Sequence, residues 1–186
     1  MARIVSTEAL VLRTRPYRET SKLVTLFTRD FGRVHLHAKG ARRPRSKFGA
    51  ALEVLSHIRV IFYRSEQKHI YTMSDAAIIR DLPRMRSEPA RLRAALVAGH
   101  FADRNFESEV PHIGVFRLLR ELLSVLDSGR GDPVAAVHAF LFKASEQMGY
   151  APRLDGCVCC GRCIATCCGD LGIAIGSRAI RRGERP

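Results

Sequence analysis

"KLVTLFTRDFGRVHLHAK", residues 22–39, sets two runs of β-branched and aromatic residues on either side of Asp30-Phe31-Gly32. Two such runs around so short a turn predict a hairpin. In the second run Val34, Leu36 and Ala38 alternate with Arg33, His35, His37 and Lys39. A period of two puts the first three on one face and the other four on the opposite face, the pattern of a strand with one side in a core and one in water. Working outward, "EALVLRT" (8–14) supplies a strand before the hairpin. "LEVLSHIRVIFYR" (52–64) and "HIYTMSDAAII" (69–79) supply two after it. Five short antiparallel strands in about 80 residues predict a small closed barrel, and the five-stranded OB-fold is the commonest such barrel that binds nucleic acid.

From Pro83 onward the apolar period becomes helical. "EPARLRAALVAGHFADRNF" begins with Pro89 near a helix start and spaces Leu92, Ala95 and Leu96 along one face. "VFRLLRELLSVLD" carries Leu118, Leu119, Leu122, Leu123 and Leu126 as a wide stripe. In "DPVAAVHAFLFKASEQMGY" Asp132 reads as an N-cap, Pro133 as the first helical residue and Gly149 as the stop. The expected architecture is α+β: a β-barrel over residues 1–80, a helical domain over 81–156 and a Cys-rich segment over 157–186.

Charge distributes unevenly over this plan. Lys and Arg number 31 against 18 Asp and Glu, with a pI near 10.3. The net charge is +10 over residues 1–80, zero over 81–156 and +3 over 157–186. A basic barrel makes polyanions the natural partners, nucleic acid before an anionic membrane surface. "HAKGARRPRSKFGAAL" (37–52) gathers Lys39, Arg42, Arg43, Arg45 and Lys47 without an acid, on a stretch whose glycines and proline exclude a regular helix face. Arg13, Arg15 and Arg18 belong to the first loop and Arg33 to the outward strand face. Single-strand binding needs such cations together with aromatic faces for bases. Tyr17, Phe31, Phe48, Tyr63 and Tyr71 are the aromatic candidates, against the alternative that Phe31 anchors its turn and Tyr63 and Tyr71 belong to the core. His35 and His37 read as surface histidines.

Catalysis finds little support. The chain has no GxxxxGK[ST], HExxH or GxSxG, and Asp30 and Asp75 are isolated carboxylates that suit a turn and a strand end. No 18-residue apolar stretch and no signal-peptide pattern are present, so a cytoplasmic, nucleoid-associated protein without membrane contact is expected.

Read as one unit, "PYRETSKLVTLFTRDFGRVHLHAKGARRPRSKFGAALEVLSHIRVIFY" (16–63) resembles the bacterial RecO family of DNA repair proteins and recombination mediators. The resemblance rests on Tyr17-x-Glu19-x-Ser21-Lys22, on "LFT" followed by the glycine turn, and on Lys39-Gly40-Ala41-Arg42-Arg43 with Ser46. It continues through the helices to "MGYAPRLDGCVCCG" (148–161). It implies an N-terminal OB-fold, a helical domain and no enzymatic activity. The implied activities are binding of single- and double-stranded DNA, strand annealing, and loading of a recombinase onto coated single strands. The implied partners are RecR, the single-stranded DNA-binding protein through its acidic C-terminal tail, and RecA. Arg117, Arg120 and Lys143 are the candidate contacts for that tail.

The Cys-rich segment departs from the family pattern of two C-x2-C pairs separated by a long spacer. Cys157 and Cys160 match the first pair, whereas Cys163, Cys167 and Cys168 crowd behind them. Cys157, Cys160, Cys163 and Cys167 form a candidate thiolate set for Zn2+. The same spacing permits a rival reading as an iron-sulfur redox protein with a nucleic-acid-binding barrel. The low hydrophobic order after Arg162 raises the expectation of a truncation or a shifted reading frame near that codon.

Overall fold

The computed structural model describes residues 3–65 and 69–150. Its elements are β1 (Arg3–Tyr17), β2 (Ser21–Thr28), β3 (Gly32–Ala38), a short 3₁₀ turn (Gly49–Leu52), β4 (His57–Arg64), β5 (Ile70–Arg80), α1 (Pro83–Ser87), α2 (Pro89–Asn105), α3 (Ile113–Ser128) and α4 (Pro133–Gln147).

The strands close in the order β1-β2-β3-β5-β4. At 15 residues β1 is long enough to serve two neighbours. Its first half pairs with β4, from Arg3↔Arg64 to Leu10↔His57, and its second half with β2, from Ala9↔Thr28 to Tyr17↔Ser21. A register shift between Val11 and Arg13 marks the bend between the halves. The hairpin of β2 and β3 forms as its sequence predicts, with Gly32 at φ +62° opposite Thr28. There the Thr28 hydroxyl donates to the Gly32 carbonyl (2.8 Å) and accepts from the Phe31 amide (3.1 Å). One pairing corrects the all-antiparallel expectation: β3 and β5 run parallel over His35–His37 and Ile70–Thr72. Alternation within each strand is blind to the direction of its neighbour.

Two apolar clusters result. Inside the barrel lie Ala9, Val11, Val24, Leu26, Val34, Leu36, Ile58, Val60 and Phe62, with Phe48, Ala51 and Leu52 beneath one end. Phe48 and Tyr71 are therefore core residues, buried at 3% and 2% exposure, and cannot stack bases. The second cluster joins α1–α4 to the other face of β1 and β2 through Leu10, Leu12 and Phe27, with Leu55 from the loop before β4. Residues 9–12 are all buried because one side of β1 faces the barrel lumen and the other the helices.

On α2 the packed face is made of Ala94, Ala95, Ala98 and Ala102, while Leu96 is 43% exposed, contrary to its expected place in the stripe. Small side chains let the helix lie close: a Cβ on Gly99 would stand 3.0 Å from a Leu55 methyl. The α3 stripe of Leu119, Leu122, Leu123 and Leu126 is buried as predicted. Asp132 caps α4, accepting from the amides of Val134 (3.3 Å) and Ala135 (2.9 Å), and Gly149 follows the helix at φ +81°. The candidate zinc ligands Cys157, Cys160, Cys163 and Cys167 lie outside the described residues.

Candidate nucleic-acid interface

Between β1 and β2 the chain reverses in three residues, with Arg18 at φ +52°. After β3 it turns again at Gly40, φ +70°. Because β1, β2 and β3 are adjacent, both reversals come to the same end of the barrel. A backbone hydrogen bond ties them together, the Arg42 amide donating to the Thr20 carbonyl (2.9 Å), and the Arg43 amide closes the second turn on the Gly40 carbonyl (3.1 Å). The Arg42 guanidinium donates to the Arg18 carbonyl at 3.3 Å. Farther on, buried Phe48 anchors the basic connection in the core, and the Lys47 ammonium donates to the Ser74 carbonyl on β5.

An open cleft of about 570 Å3 lies between the two turns. Arg18, Lys39 and Arg43 line it with Thr20, Ser21 and His37, and Glu19 is the one carboxylate on its wall among the described residues. Tyr17 stands beside it, its ring edge-to-face with His37 at 5.2 Å and the Arg18 guanidinium 5.3 Å from its centroid. Burial, then Lys39 and Arg18, hold the His37 imidazole below its ordinary pKa. His35, which shares a 3.2 Å hydrogen bond with the Thr25 hydroxyl, is likewise lowered, by burial and then Arg33, with Asp103 opposing. Thr20 and Ser21 are cleft residues that sequence reasoning missed, their place within the Tyr17-x-Glu19-x-Ser21-Lys22 stretch being the available signal, and His37, read as a surface histidine, joins them from β3.

The ten candidates divide. Tyr17, Arg18, Lys39, Arg42 and Arg43 converge at this end, with exposed Arg15 behind them on β1 and exposed Arg45 and Lys47 on the connection. Arg13 and Arg33 do not join them. Both guanidiniums turn to Asp103 on α2, at 3.5 and 3.4 Å, and Arg33 also donates to the Asp103 main-chain carbonyl and to the Ser108 hydroxyl (3.2 Å). Arg33 is thus half-buried, correcting its place on a wet strand face: the helices cover that side of the barrel. Phe31 packs edge-on against Phe62 (5.8 Å) as a turn anchor, and the Tyr71 hydroxyl donates to Glu109 (2.8 Å). On the helices, Arg117 and Lys143 are exposed. Arg120 instead reaches Glu8 of β1 (3.5 Å), whose carboxylate also meets His57 at 2.6 Å.

Residues 1–82 match the family described as Recombination protein O N terminal, and residues 86–169 match Recombination protein O C terminal. The chain belongs to the recombination protein O family. It is 32% identical over 152 residues to the DNA repair protein RecO of Salinibacter ruber, an alignment covering 82% of this chain and 58% of that relative. To the RecO of Symbiobacterium thermophilum it is 29% identical over 158 residues, covering 85% and 62%. To that of Thermobifida fusca it is 34% identical over 160 residues, covering 83% and 63%. The chain thus spans about three fifths of the length of the RecO proteins it matches.

Proposed function

We propose that this chain is a DNA-binding recombination mediator in DNA repair that holds single- and double-stranded DNA along the cationic end of an OB-fold barrel. One observation carries the reading. Arg15, Arg18, Lys39, Arg42, Arg43, Arg45 and Lys47 surround that end, and none has a carboxylate within ion-pair distance among the described residues, whereas Arg13 and Arg33 spend their charge on Asp103. Unpaired cations on ordered backbone neutralise phosphates and release counterions. Neutralised strands repel one another less, so annealing follows without a nucleophile. Contacts of this kind position a backbone without reading bases, and little sequence preference is expected.

Loading of RecA onto strands coated with single-stranded DNA-binding protein, and cooperation with RecR, belong to the same proposal on the strength of family membership. For the acidic tail of single-stranded DNA-binding protein, exposed Arg117 and Lys143 are the candidate contacts, with Arg120 already shared with Glu8. A Zn2+ held by Cys157, Cys160, Cys163 and Cys167 is proposed on their thiolate chemistry alone. Stoichiometric zinc by elemental analysis of chelator-washed protein supports it, and its absence removes it.

The deciding experiment is a titration of a labelled single-stranded oligonucleotide at several salt concentrations. The parent chain is compared with a Lys39→Ala, Arg42→Ala, Arg43→Ala, Arg45→Ala variant. At about 0.7 per phosphate contact, losing four contacts lowers the slope of log K against log salt by about 3. An unchanged slope would mean that the connection is a solvated loop.

A further inference from the structure

His37 is the odd member of the cationic end. Its neighbours on the cleft wall, Arg18, Lys39 and Arg43, are permanently charged and reach water, whereas the His37 ring lies edge-on beneath Tyr17. Its Nε2 is buried without a hydrogen-bond partner among the described residues. An unsatisfied buried ring nitrogen is disfavoured, and protein structures relieve it with a ligand, an ion or water. The cleft offers the rest of an anion site: three cations from two turns, with the hydroxyl residues Thr20 and Ser21 following Arg18 in the first of them.

We propose that this cleft is a phosphate-ester seat in which His37 takes up a proton from solvent as the phosphate enters. The inference rests on the DNA-binding reading and adds to it a specific subsite with a proton-linked affinity. The empty seat disfavours the imidazolium. Burial and the like charges of Lys39 and Arg18 oppose protonation, and Arg43 across the cleft adds to them. Glu19 in the turn is the only acid on the wall among the described residues. The β2 residue paired with His37 is Leu23, and the β5 residue is Thr72, so neither strand sets a carboxylate against the ring. A phosphate reverses this balance, because its negative charge offsets the cations and favours the imidazolium. Affinity therefore rises as pH falls through the range in which the empty-site imidazole is neutral.

The test is oligonucleotide affinity at fixed ionic strength between pH 8 and pH 6, with calorimetry in two buffers of different ionisation enthalpy to count protons. The parent chain should tighten by about 3- to 10-fold with fractional proton uptake, one pKa unit of linkage being tenfold in affinity. His37→Gln, with its melting curve as the folding check, should flatten that dependence, while His35→Gln, whose ring is already bonded to Thr25, should keep it. Strands with 5′-hydroxyl and 5′-phosphoryl ends separate the sources. Equal pH slopes assign an internal phosphodiester to the seat, and a steeper slope for the phosphorylated end assigns the phosphomonoester. If DNA binds with the same pH dependence in parent and His37→Gln, the seat is overturned and the DNA-binding reading survives. Absence of DNA binding at every pH overturns both.

Discussion

Asp103 joins the barrel to the helices at the scale of a single residue. Its carboxylate, 9% exposed, receives Arg13 from β1 and Arg33 from β3, while Arg33 also satisfies a carbonyl in the last turn of α2. Removing the acid leaves a half-buried guanidinium uncompensated, on a residue whose Nε already has no partner among the described residues. Complete burial would make that loss about 3–5 kcal/mol. Arg13 and Arg33 are partly solvated, so Asp103→Ala should cost about 2–3 kcal/mol by urea unfolding, and Asp103→Asn, which keeps an acceptor, less. A shift under about 0.5 kcal/mol, the range of ordinary surface substitutions, would assign the pair no structural role.

The histidines make a second prediction at this scale. His35, His37 and His57 are each held below the ordinary value of 6.5, with burial the largest cause; for His57 the hydrogen bond and charge of Glu8 push the other way, and Arg120 and Arg80 add to the lowering. A histidine with a lowered folded-state pKa binds fewer protons when folded than when unfolded. Stability is therefore full above about pH 6.5 and falls as pH drops from there toward the folded values, levelling below them. Urea midpoints from pH 7.5 to 5 should decline, and His57→Gln should lessen the decline. A flat profile in the parent chain would contradict the burial assigned to these rings.

Among elements, α3 is held at its end by a residue of another helix. Arg91, 8% exposed on α2, pairs with Glu88 (2.5 Å) and donates to the Gly129 carbonyl (2.7 Å) beyond the C-terminus of α3, with Leu126 and Gly131 carbonyls near its reach at 3.4 and 3.5 Å. A cation there meets both orphan carbonyls and the negative end of the helix dipole. Arg91→Ala should thus lose about 2–4 kcal/mol, more than the ~1 kcal/mol expected for Asp132→Ala at the exposed N-cap of α4. Comparable thermal shifts for the two variants would deny Arg91 its capping role. Asp132 was legible in the sequence, since capping is local, and the capping role of Arg91 was not, because the carbonyls it reaches lie 35–40 residues away. The same distinction separates the strands, read from alternation, from the parallel pairing of β3 with β5. It also separates the loop cations, read from composition, from Phe48, whose apolar ring in a basic stretch signals an anchor only once the barrel end is known. Arg13, Arg33 and Arg120 looked like free cations because Asp103 and Glu8 are remote in sequence.

Over the whole molecule the change from strands to helices near residue 81 does not divide the core. Phe27 shows this best. It sits on β2 opposite Leu10, fully buried, with Phe106 and Phe116 at 5.6 and 6.3 Å between ring centroids. Leu10, Leu12 and Leu55 belong with it to the helical cluster. Part of the outer face of β1 and β2 is therefore apolar, and a barrel separated from its helices presents Leu10, Leu12 and Phe27 to water. Phe27→Ala should cost about 3–5 kcal/mol, a large share of the 5–15 kcal/mol typical of a domain, and strand and helix probes should unfold together in parent and variant alike. A fragment of residues 1–82 tests the same coupling from the other side. It should aggregate or give collapsed amide spectra, because Leu10, Leu12 and Phe27 lose their cover. Well-dispersed spectra and a cooperative melt of that fragment would make the barrel an independent unit and reduce the shared cluster to a docking contact.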